Sequence, residues 1–107
     1  YNSALKTWAE ANEIKLPEVF NYATNNGHMF YLVCKNIEQR SQIISKLKQS
    51  DVHAVFHYLS LHKSPFYHEK HDGRTLVNSD NFSDCLIRLP LFFELPINDV
   101  VAAILKD

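Results

Sequence analysis

Apolar and polar positions alternate with two different periods along this chain, and the switches between them lay out its elements. From Tyr1 to Glu13, Ala4, Leu5, Trp8, Ala9 and Ala11 recur with a period of about 3.6 among good helix formers, which predicts a helix. Pro17 and the cluster Asn25-Asn26-Gly27 mark Ile14 to Asn26 as irregular or extended. Between His28 and Cys34, Met29, Tyr31 and Val33 alternate with Phe30 and Leu32. Both sets are mostly apolar, so a strand covered on both faces is expected. Ile37 to Gln49 is the clearest helix, with Ile37, Ile43, Ile44 and Leu47 as its apolar stripe, Asn36 as its cap and Gln39 in the capping-box position. Val52 to Tyr58 reads as a second strand.

Leu59 to Leu76 is long, polar and rich in His and Lys, and loops of that length tend to be functional or mobile. Asn78 to Leu86 then predicts a short helix with Ser79 as its cap, and Ile87 to Leu91 an extended segment held by Pro90. A final helix follows from Ile97 to Lys106, with Val100, Val101, Ile104 and Leu105 inward and Pro96 at its start. Strand, helix and strand with flanking helices indicate an α+β domain: a small, mostly antiparallel sheet packed with helices on one side.

A length of 107 residues suits one domain with a modest core. A net charge of -1 argues against nonspecific nucleic-acid binding, which needs a basic face. Cys34 and Cys85 form no ligand-spaced pair and read as free thiols of a reducing compartment. No apolar run reaches the roughly 18 residues of a membrane span, and no leader peptide is evident, so a cytoplasmic protein is expected. The start at Tyr1 suggests a piece of a longer protein.

Five of the 6 histidines fall between His53 and His71. His53 and His57 would lie about 13 Å apart along an extended strand, too far for one zinc ion. His68 and His71 read as solvated loop residues, and no metal site is assigned. Pairs such as Glu10 with Glu13 and Asp80 with Asp84 have helix-face spacing and read as solvated. His57, Tyr58 and His62 are more informative: two imidazoles and a phenol where a strand feeds a long loop suit a sugar hydroxyl or a nucleotide phosphate. The same residues could instead form an aromatic corner packed on Phe66 and Tyr67. With Cys34 mid-strand, no serine in a glycine elbow and only Gly27 and Gly73, no complete active site is present.

Three stretches carry a resemblance: Asn26-Gly27-His28-Met29-Phe30-Tyr31-Leu32, then Ala54-Val55-Phe56-His57-Tyr58-Leu59-Ser60-Leu61-His62, then Leu86-Ile87-Arg88-Leu89-Pro90-Leu91-Phe92. In order and spacing they resemble the C-terminal part of the aminotransferases that make amino-deoxy-hexoses on nucleotide carriers. The likeness is greatest to the branch forming 4-amino-4,6-dideoxygalactose on dTDP for enterobacterial common antigen and lipopolysaccharide. The resemblance implies the C-terminal small domain of a fold type I aminotransferase, with residues 1–15 as the end of an interdomain helix and 16–107 as the domain itself. It implies a homodimeric parent enzyme that uses pyridoxal phosphate held on a lysine of a large domain. Glutamate would be the donor and a nucleotide-linked 4-keto-6-deoxy sugar the acceptor. None of this chain's lysines matches the cofactor position, so the stretch alone should neither transaminate nor hold pyridoxal phosphate, and its face toward the large domain should be exposed and partly apolar. His57, Tyr58 and His62 match the motif leading into the cleft and would face substrate. Ser60 stands where the family usually has proline, and Asp84 where glutamate is usual. Two rivals stay open: a standalone α+β module binding a metabolite or a protein, and a zinc-dependent hydrolase or zinc-stabilised fold.

Overall fold

The computed structural model describes residues 1–106. Helix α1 spans Asn2–Ala11, strand β1 Phe30–Val33, helix α2 Ile37–Gln49 and strand β2 Val55–Phe56. Two single 3₁₀ turns follow at Leu61–Lys63 and His68–Lys70, then helix α3 at Val77–Cys85, strand β3 at Leu86–Leu89 and helix α4 at Ile97–Leu105. The sheet is antiparallel throughout, with β3 between β1 and β2. Lys15 adds an isolated antiparallel bridge on the free edge of β1. The expected α+β architecture therefore holds.

Side-chain parity explains the packing. Leu32 and Cys34 of β1 and its extension, Ile87 and Leu89 of β3, and Ala54 just before β2 all enter one core with Leu5 and Ala9 of α1, Leu47 of α2 and Val100, Val101, Ala103 and Ile104 of α4. Helices α1, α2 and α4 thus cover a single face. The opposite face carries a smaller cluster of Val33, Leu86 and Cys85, with Tyr31 against it.

Helix ends are fixed locally. The Asn36 side chain accepts the Gln39 N–H at 2.9 Å, and Gln39 Oε1 accepts the Lys35 N–H at 2.9 Å, one residue outside the usual capping box. Gln39 Nε2 donates to the Asn12 carbonyl at 2.8 Å, tying α2 to the end of α1. Both of those helices end in Schellman turns without glycine. Ile14 and Glu13 N–H groups donate to Ala9 and Glu10, and Val52 and Asp51 to Leu47 and Lys48. Glu13 (φ 57°) and Asp51 (φ 58°) take the left-handed position where glycine is favoured.

The structure corrects four expectations. The strand expected over Val52 to Tyr58 pairs only at Val55 and Phe56. Before it, the Val52 N–H is taken by the Leu47 carbonyl at 2.9 Å and the Ala54 N–H by the Val52 carbonyl at 3.1 Å, so the chain leaves the turn after α2 only at Val55. Helix α3 begins at Val77, and its N-cap is Leu76, not Ser79. Leu86, expected inside that helix, instead pairs with Val33 in the sheet. Ile37 and Leu105, expected in the core, are 42% and 43% exposed at the ends of their helices. No helix among the described residues is long and apolar enough to cross a membrane.

Candidate functional site

The short β2 delivers His57 and Tyr58 at the point where the sheet ends. Their rings meet edge-on with centroids 4.8 Å apart. Tyr58 is 71% exposed, whereas His57 is half-buried, with its Nδ1 enclosed and without a hydrogen-bond partner. Buried Ser83 of α3 anchors this segment. Its hydroxyl donates to the Tyr58 carbonyl at 3.4 Å and accepts the Ser60 N–H at 3.3 Å. The Ser83 carbonyl in turn accepts Arg40 Nη1 of α2 at 3.0 Å. The Arg40 guanidinium also lies 5.5 Å from the Phe56 ring centroid, a cation–π distance.

His62 sits elsewhere. The first 3₁₀ turn aims it at α3, where its Nε2 donates to Asp80 Oδ1 at 2.9 Å. Lys63 Nζ reaches the same oxygen at 2.8 Å. The hydrogen bond from Lys63 is the chief cause holding the Asp80 carboxyl below its usual range, and the same bond raises the Lys63 ammonium. The His62 ring lies 5.1 Å from that of His71, whose Nε2 donates to the Arg74 carbonyl at 2.9 Å.

The three expected site residues therefore form two groups. His57 and Tyr58 touch one another, and His62 belongs to an Asp80–Lys63–His71 cluster. Among the described residues, no ring contact joins His57 or Tyr58 to Phe66 and Tyr67; those two pack edge-on against each other at 4.9 Å. The aromatic corner does not form.

Two histidine and carboxylate readings change. His71 is half-buried beside His62, whereas its neighbour His68 is exposed. Asp80 is an ion-pair partner and not a free helix-face acid. Arg40 and Ser83 escaped the sequence reading, and Asp80 was read as solvated, because the contacts that define them are long-range: Asp80 lies 18 residues from His62, and Ser83 43 from Arg40. Burial pushes the Cys34 thiol up to about 11 and also raises Cys85, which keeps both thiols protonated and unreactive at neutral pH. Among the described residues, no group of three or more His, Cys, Asp or Glu converges to hold a metal ion.

Residues 1–106 match the model of the DegT/DnrJ/EryC1/StrS aminotransferase family. Three solved structures share the fold. NtdA from Bacillus subtilis, solved with bound cofactor PMP, superposes with TM-score 0.79 at 24% identity over 97% of this chain and 25% of that chain. An aminotransferase TlmJ from Streptoalloteichus hindustanus gives TM-score 0.71 at 14% identity, covering 96% of this chain and 29% of its own. A DegT DnrJ EryC1 StrS aminotransferase from Brucella abortus gives 0.69 at 20% identity, with the same 96% and 29% coverage. This chain thus spans between 25% and 29% of the length of those proteins.

Proposed function

Because the chain belongs to the DegT/DnrJ/EryC1/StrS aminotransferase family, we propose that it is the C-terminal small domain of a pyridoxal-phosphate-dependent aminotransferase. Residues 1–15 would end the helix joining it to a large domain, and 16–107 would be the domain itself, Asp107 lying outside the described residues. The parent enzyme acts on a nucleotide-linked 4-keto-6-deoxy sugar with glutamate as amino donor, works as a cytoplasmic homodimer, and is closest in kind to the dTDP-4-amino-4,6-dideoxygalactose transaminases of surface-polysaccharide synthesis. The match of the family model over residues 1–106 supports the aminotransferase part of this reading.

The residues of this chain do not fit the cofactor. A lysine that holds an aldehyde cofactor must give up its proton, which burial or neighbouring cations promote. Lys63 is driven the opposite way by Asp80. Lys70 is spread over the Phe66 ring, and Lys46 donates to the Ile104 carbonyl at 3.0 Å. Lys6, Lys15, Lys35, Lys48 and Lys106 are exposed. Gly27 and Gly73 lie in two separate turns, so they build no glycine-rich phosphate loop. Cofactor binding and proton transfer at the reacting carbon therefore fall to residues outside this stretch.

This chain's contribution is on the substrate side. The exposed Tyr58 phenol offers a directed hydrogen bond and a stacking face, and His57 beside it, with Nδ1 enclosed, leaves only its Nε2 for a ligand. His62, held by Asp80, supplies an imidazole of fixed orientation. Sugar hydroxyls and phosphate oxygens suit all three. The full-length protein containing this chain, given glutamate and a dTDP-linked 4-keto-6-deoxyhexose, should release 2-oxoglutarate in proportion to the sugar added. Glutamate turnover with ordinary 2-oxo acids but with no keto-sugar nucleotide would contradict the reading.

A further inference from the structure

The turn-rich stretch between Leu61 and Ser79 forms an open cleft of about 250 Å³. Its polar wall consists of His62, Tyr67, Lys70, His71, Arg74 and Ser79, and leucines supply the rest. No carboxylate lines it. The ammonium, guanidinium, phenol and hydroxyl on the wall can each donate a hydrogen bond to a ligand, while His62 and His71 direct their Nε2–H groups to Asp80 and to the Arg74 carbonyl.

Three features prepare this wall for negative charge. Lys70 Nζ lies 3.5 Å above the Phe66 ring centroid and 5.7 Å from that of Tyr67, so the ammonium is held over an aromatic platform and loses less freedom on binding. The His71 ring is fixed by its bond to the Arg74 carbonyl at 2.9 Å. Ser79 lies in the first turn of α3, a nine-residue helix whose N-cap, Leu76, offers no side-chain acceptor, which places an uncapped positive helix end at the wall. The neighbouring acids are already engaged. Asp80 takes His62 and Lys63, and Asp72 lies 3.5 Å from Arg74 Nε and 3.7 Å from His71 Nε2, outside the lining.

We propose that this cavity, walled by Lys70, Arg74, His62 and His71, is an anion site for a phosphate ester. Its volume is below the roughly 300–1,000 Å³ of a pocket for a drug-sized ligand, so it suits a charged group and not a whole nucleotide sugar. Resting on the reading above, that group is the diphosphate of the carrier, with the sugar lying toward His57 and Tyr58. His62 is the one residue common to the expected substrate set and the cavity.

Inorganic pyrophosphate titrated into the chain in phosphate-free buffer tests this, with histidine ring resonances as the readout. His62 and His71 should shift saturably, and His28 and His53 should not. The double variant Lys70→Gln/Arg74→Gln changes only exposed side chains and should bind about tenfold more weakly, with unchanged far-UV circular dichroism. Lys48→Gln on α2 should bind as the parent does. Failure to saturate, equal shifts at all histidines, or full affinity in the double variant would each overturn the site. dTDP-glucose as a second probe separates the two readings. If pyrophosphate fills the cavity but dTDP-glucose leaves His57 and Tyr58 unmoved, the anion site stands and the nucleotide-sugar assignment falls.

Discussion

Leu5, Leu32, Leu47, Ile87 and Ile104 come from five different elements, and none is more than 1% exposed. Between Phe56 and Phe66, the large apolar side chains Phe56, Tyr58, Leu59, Leu61 and Phe66 are 49% to 71% exposed. The first group closes the helix-backed face of the sheet; the second surrounds the strand end where the candidate site lies. The two regions are held together differently. Burial drives the helix-backed side, because apolar area removed from water is worth about 25 cal/mol per Å². The loop side is pinned by a few polar contacts to α3, chiefly Ser83 to Tyr58, and Asp80 to His62 and Lys63. A frame made by burial resists deformation, while a surface tied by single hydrogen bonds keeps donors and rings free for a ligand.

The sharpest way to break this contrast is a pair of truncations followed by urea denaturation. Leu32→Ala should cost about 2–5 kcal/mol, through the cavity it leaves. Tyr58→Ala, at an exposed position, should stay within about 0.5 kcal/mol. Equal losses would erase the distinction between frame and surface.

The next effect is a gain on the frame side. Asp51 occupies the left-handed position that closes α2, with φ 58°. Asp51→Gly should stabilise by about 1 kcal/mol, since glycine adopts that conformation without a Cβ clash. A loss in thermal unfolding would mean that the aspartate makes a contact that outweighs the backbone relief.

A smaller gain is expected on the loop side. Ser60 has φ -60° and ψ 139°, values that proline adopts without strain. Its hydroxyl is buried without a partner, and its N–H makes only one long bond, 3.3 Å, to Ser83. Ser60→Pro should therefore raise stability by about 0.4–1 kcal/mol by restricting the unfolded chain. A drop in melting temperature would show that the Ser83 bond matters more than its length suggests.

The smallest effect is a pH dependence. The Asp80 carboxyl is held below its usual range, first by the Lys63 hydrogen bond. A folded value below the unfolded one adds stability above the unfolded carboxylate value, and that stability is lost as pH falls through the folded value. The difference in urea midpoint between the parent chain and Asp80→Asn should thus be present at neutral pH and close in acid. A gap that persists under acid would assign the difference to packing and not to charge.

Much of the frame was legible from local signals. Helix α2 runs Ile37–Gln49 as its period and its Asn36 cap predict, because both are written within a few residues. Strand β2 was not, because the Ala54 N–H is spent on the Val52 carbonyl in the turn after α2, a contact that apolar alternation does not show. At the candidate site, His57 and Tyr58 touch as neighbours leaving one strand end. The pattern could not show that His62 turns away to Asp80, because a 3₁₀ turn inside a polar loop leaves no hydrophobic period to read. His71 and Arg40 were hidden for the same reason; their roles come from contacts made after the chain folds back.

Steady-state kinetics of the full-length protein test the central claim, that the loop side of this domain faces the sugar nucleotide. Tyr58→Ala should raise KM for the keto-sugar nucleotide about tenfold, the loss of roughly 1.4 kcal/mol of binding, with KM for glutamate unchanged. An unchanged KM for the sugar nucleotide, or an equal rise for both substrates, would contradict it.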